Sequence, residues 1–94
     1  MSSFSQLRDS YRLQREAKRV KKELKSIHVE AEGKFVKVIV TAEMEVVSIS
    51  IHTHVSSEEL AEDLKDAMNR ALKKSQLISS ERMKPLMEGM GMGA

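Results

Sequence analysis

The sequence predicts an α+β fold of order helix-strand-strand-strand-helix, in which a three-stranded antiparallel meander is flanked by a long basic N-terminal helix and a C-terminal helix. Three observations lead there. Residues 5–26 lack Gly and Pro and repeat apolar side chains at helical spacing, residues 27–51 switch to a period of two, and residues 56–79 return to the helical period. At 94 residues the chain holds one domain near the lower limit for a self-sufficient core, so association with a second copy is expected.

Along the first helix, Leu13, Ala17, Val20, Leu24 and Ile27 form an apolar stripe, while Arg8, Arg12, Arg15, Arg19 and Lys22 repeat in the same rhythm. At about 100° per residue the two stripes lie on nearly opposite sides of one helix. The apolar seam must be buried against something, and the cationic stripe is left free to meet a polyanion. Ile27, Val29 and Ala31 then alternate with His28, Glu30 and Glu32 as in a half-buried strand. Gly33 supplies the turn, and the β-branched run from Phe35 to Thr41 reads as the central strand. The third strand covers Val46 to Ile51, with Val47, Ile49 and Ile51 on one face and Val46, Ser48 and Ser50 on the other.

The second helix opens at Ser56-Ser57-Glu58-Glu59, which fits a capping box. Its apolar positions, Leu60, Leu64, Ala67, Met68, Ala71, Leu72, Ser75 and Ile78, include enough small residues for close approach to a sheet. Pro85 removes a backbone donor and disfavours helix at Lys84, so the helix is expected to stop there. Residues 1–84 are thus read as a single domain and residues 85–94 as a flexible Met/Gly-rich tail.

Composition excludes several classes. With no Cys there is neither a disulfide framework nor a thiolate metal site. The N-terminus lacks the apolar core of a signal peptide, and no apolar run is long enough to span a membrane, so a cytoplasmic location is expected. Net charge is only +2, yet residues 1–27 carry eight basic against three acidic residues. The basic character is concentrated on one helix.

The order of elements and several local strings resemble the YbaB/EbfC family of bacterial nucleoid-associated DNA-binding proteins. The strings are Leu24-Lys25-Ser26-Ile27 ending a basic helix, Glu30-Ala31-Glu32-Gly33, Val36-Lys37-Val38-Ile39-Val40, Val47-Ser48-Ile49-Ser50-Ile51, Leu60-Ala61-Glu62-Asp63-Leu64 and Ala67-Met68-Asn69-Arg70-Ala71, before a Met/Gly-rich end. This resemblance implies a small homodimer that binds duplex DNA, acts at the nucleoid and is not an enzyme. The chain departs from the family in having Thr41-Ala42-Glu43-Met44 where an Asn-Gly hairpin is common, so that turn is not expected to be a two-residue type I′ turn. The glycine-rich connection after the first strand is also reduced to Gly33.

Arg8, Arg12, Arg15, Arg19 and Lys22 are the principal candidates for contacting DNA, with Lys18 and Lys25 flanking them. Arginine suits phosphate because its planar fork donates paired hydrogen bonds. The competing reading is a solvated face held by local pairs, Arg12 with Glu16 and Arg19 with Glu23. Phe4, Leu7 and Tyr11 form a second apolar patch out of phase with the seam, and are read as a contact with a second subunit. Phe35, Ile39 and Val46, on the outer sheet face, are the other candidates for a dimer interface. His52 and His54 share one side of an extended segment, but a site needs more ligands and the only other histidine, His28, lies on a different strand, so no metal site is assigned. No catalytic constellation, phosphate-binding loop, cofactor site or small-molecule site is recognisable. The resulting expectation is a homodimer that binds duplex DNA mainly through phosphates with low sequence specificity. Its rival is a helix-mediated protein-protein adaptor without DNA binding.

Overall fold

In the computed structural model, the backbone of residues 2–89 and the side chains of residues 8–88 are described. Helix α1 (Ser2–Ser26) leads into strands β1 (His28–Glu32), β2 (Val36–Thr41) and β3 (Val46–Ile51), and helix α2 (Ser57–Gly89) follows. The strands form one antiparallel sheet in the order β1-β2-β3, as the predicted meander requires.

Alternation decides which side of the sheet is covered. Val29 and Ala31 of β1 and Val36, Val38 and Val40 of β2 are buried on one face, while His28, Glu30 and Glu32 remain exposed on the other. Against the buried face lie Ala67 and Ala71 of α2, both fully buried, with Leu60, Leu64, Met68 and Ile78 packed around them. Ser75 continues this four-residue rhythm, and its hydroxyl donates to the Ala71 carbonyl at 3.0 Å, so the polar group is satisfied where it is buried. Small side chains let the helix axis approach the sheet, leaving the valines to fill the gap.

The turns are held by specific polar contacts. Ser56 caps α2 as the sequence suggests, its hydroxyl accepting the Glu59 amide at 3.2 Å. In the β1–β2 turn, the Gly33 amide donates to the Val36 carbonyl at 2.8 Å. The Asp63 carboxylate, presented by α2, accepts the Lys34 and Phe35 amides at 2.9 and 2.8 Å. A Cβ on Gly33 would overlap that carboxylate, which explains why the turn has a glycine. The β2–β3 connection is a three-residue loop, Ala42-Glu43-Met44: Met44 donates to the Thr41 carbonyl at 2.9 Å and Thr41 donates to the Glu45 carbonyl at 2.8 Å. Met44 takes a φ of 66°, the left-handed position that ends such a loop. The turn is therefore not of the two-residue type I′ form. A register shift follows between Ile39 and Val40 opposite the start of β3.

Helix α2 does not end at Lys84 as the local rule predicts, but runs through Pro85 to Gly89. Proline forfeits the hydrogen bond to the carbonyl four residues back and crowds it. Leu86, only 6% exposed, gives the extra turn an apolar anchor. The second half of α2 accordingly leaves the sheet and runs beside α1, where Arg82 comes within 3.9 Å of Glu23. Leu24 of the α1 seam is buried, Leu13, Val20 and Ile27 are half-buried, and Ala17 stays exposed. The molecule is elongated, with extents of 67 × 23 × 14 Å and a radius of gyration of 18.6 Å. A compact chain of this length would have a radius of about 12 Å.

Candidate nucleic-acid interface

Arg8, Arg12, Arg15, Lys18, Arg19, Lys22 and Lys25 are all exposed on α1. At about 1.5 Å per residue, Arg8 to Lys22 covers about 21 Å, comparable to six base-pair steps of duplex. None of these seven cations is in an ion pair or a side-chain hydrogen bond among the described residues. The ion pairs present there involve Lys21, Lys37, Lys65, Arg70 and Arg82 instead. The local pairs considered from the sequence are not formed: Glu23 faces Arg82 of α2, and no Arg12–Glu16 pair occurs within 4 Å. The stripe is therefore a set of uncommitted charges on an otherwise hydrated helix face.

Its two borders differ. On a helix of about 100° per residue, Asp9, Glu16 and Glu23 recur every seventh residue along the border next to the apolar seam. Lys18 and Lys25 lie on the opposite border, together with Tyr11. Positive potential is thus skewed toward the Tyr11 side of the helix. Arg8, Tyr11, Arg12, Arg15, Glu16 and Arg19 line a shallow depression on this face, and the Tyr11 side chain is 64% exposed within it.

The residues expected to join two subunits are distributed unevenly. The side chains of Phe4 and Leu7 lie outside the described residues. Phe35 is half-buried against the core valines and its carbonyl accepts the His52 amide at 2.8 Å, so it serves the chain's own packing. Ile39 is half-buried on the outer face, where Lys37 pairs with Glu30 at 2.5 Å. The Glu30 carboxylate, by hydrogen bonding and by charge, raises the Lys37 pKa. Val46, expected on the outer face, is instead paired with the inner-face Val40 by the register shift and is 52% exposed at the start of β3.

What the sequence reading missed is the rest of β3. Ile49 and Ile51 lie beside Val38 and Val36 in the register and were expected on the inner face, yet they are 44% and 58% exposed, because α2 covers β1 and β2 and stops short of β3. With Val47 they leave an apolar border along a sheet edge that is unpaired among the described residues. The signal was available in the narrowness of the Ala67-Ala71-Ser75 stripe, which suits two strands rather than three. His52 and His54 are exposed just beyond β3, and no group of three metal-ligating residues occurs among the described residues.

The fold and this face define a small α+β protein that displays a basic helix. Comparison with protein families supplies the assignment: the chain belongs to the YbaB/EbfC DNA-binding family, whose profile matches residues 1–90. This is a DNA-binding, nucleoid-associated family. No curated protein matches the chain. Among the described residues, no helix is long and apolar enough to cross a membrane.

Proposed function

We propose that the protein is a cytoplasmic, nucleoid-located homodimer that binds duplex DNA with low sequence specificity, without catalysing a reaction on it. The observation that carries this reading is the row of seven exposed cations on α1, unpaired among the described residues. Such a row suits successive phosphates, whose contacts position a protein on the duplex without carrying sequence information. Binding energy then comes largely from counterion release and falls steeply with salt.

The same reading assigns the β3 edge to the subunit contact. An unpaired edge strand bearing Val46, Val47, Ile49 and Ile51 is a template for a second β3, and Ile39 lies beside it on the central strand. Pairing of two copies there would place two basic helices on one particle.

Fluorescence anisotropy of a labelled short duplex, titrated across a salt series, tests both parts. Each lost phosphate contact lowers the slope of log affinity against log salt by about 0.9. Replacing Arg12 and Arg15 by Gln should therefore flatten the slope by about 1.8 if one helix engages the duplex, and by about 3.6 if two do. An unchanged slope would make the stripe a solvated face that does not contact DNA, and no binding by the wild type at low salt would favour the adaptor reading.

A further inference from the structure

The DNA-binding reading leaves Tyr11 unexplained. Every other side chain lining the α1 depression is charged, whereas Tyr11 offers a mostly exposed ring. It is the only tyrosine of the chain, there is no tryptophan, and Phe35 is committed to the core. Along the axis Tyr11 sits about 4.5 Å from Arg8 and about 6 Å from Arg15, on the border away from Asp9, Glu16 and Glu23. A backbone held by the arginines and by Lys18 would bring its bases past this ring, Glu16 being the one carboxylate among the residues that line the same depression.

We propose that Tyr11 stacks on a nucleobase, and that the protein thereby favours duplex DNA in which stacking is already interrupted, as at a bulge or a gap. In an intact duplex both faces of each interior base are covered by its neighbours, so the ring can reach one only by unstacking it, at a cost that a bulged base has already met. The flanking duplex supplies the phosphates, and the unstacked base supplies a π-face that an aromatic ring uses irrespective of sequence. This inference rests on the DNA-binding reading above, and adds the kind of DNA preferred.

Because Tyr11 is the sole tyrosine in a chain without tryptophan, the emission of the unlabelled protein reports on this residue alone. The experiment titrates the full chain with an intact duplex and with the same duplex carrying a central bulge, following tyrosine emission, and measures both affinities by anisotropy of labelled DNA. The expected results are quenching on the bulged duplex and a bulged-to-intact affinity ratio of about five- to a hundredfold. In Tyr11→Ala the ratio should fall to about one, whereas Tyr11→Phe should retain it. The salt slope should not change, since no charge is removed.

A wild-type ratio near one, a ratio that survives Tyr11→Ala, or emission that does not respond to the bulge overturns the proposal while leaving duplex binding intact. Emission that changes with protein concentration in the absence of DNA, with no further response to the bulge, also overturns it and makes Tyr11 a subunit contact. Failure to bind either DNA overturns the DNA-binding reading itself, and this inference with it.

Discussion

Asp63 ties the β1–β2 turn to α2 with one side chain. Hydrogen bonds from the Phe35 and then the Lys34 amide favour its ionised form and hold its pKa below the ordinary carboxylate value near 3.8. A carboxyl group whose pKa is lower in the folded state stabilises the fold above the ordinary value, and that stabilisation is lost as pH falls through the lowered one. Asp63→Asn should therefore melt below the wild type at neutral pH, and the difference should shrink on acidification below about pH 3.8, as measured by thermal melts across a pH series. Gly33→Ala should lower the melting temperature by displacing the same carboxylate from the two amides. The sequence shows Gly33 as a turn residue. It does not show Asp63, which lies 28 residues from Phe35 and reads locally as one more acidic residue of a helix.

At the scale of elements, the contact between α2 and the sheet depends on small side chains. Ala71→Leu should cost about 1–3 kcal/mol in chemical denaturation, because no space exists at a position that is fully buried against valines. A smaller loss would show that α2 can lift from the sheet. The Ala-rich face was legible in the sequence because helical spacing is a local property, and so was the Ser56 cap, whose partner is three residues away. The end of α2 was not. Pro85 argues for a stop there, yet Leu86 is buried in the continuing helix. Local backbone preferences of a few kcal/mol yield to burial of a large side chain together with the hydrogen bonds that remain.

On the scale of the molecule, the chain is far from spherical and exposes an apolar edge along β3, which the proposed dimer would cover. On the proposal that a second copy pairs along β3, Ile49→Lys should convert the proposed dimer to monomer in sedimentation equilibrium while leaving far-UV circular dichroism unchanged, since Ile49 is already 44% exposed in the single chain. A dimer that survives this change would move the contact elsewhere, to α1 or the outer face. If the dimer is lost, the same variant should also bind DNA with the shallower salt slope of a single helix.

The order and type of the elements, the inward face of β1 and β2, the cap of α2 and the opposed stripes of α1 follow from the amino-acid order alone. Each is set by periodicity or by partners a few residues apart. Packing between elements sets the rest: Glu23 faces Arg82 rather than Arg19, Asp63 closes a turn it does not neighbour, and α2 covers two strands of the three. These outcomes depend on where elements distant in sequence come to rest, and the pattern within a single element carries no record of that. The arginine stripe was visible in the sequence, but that its charges are unpaired among the described residues became evident only once the carboxylates of Asp9, Glu16, Glu23 and Glu43 had been placed.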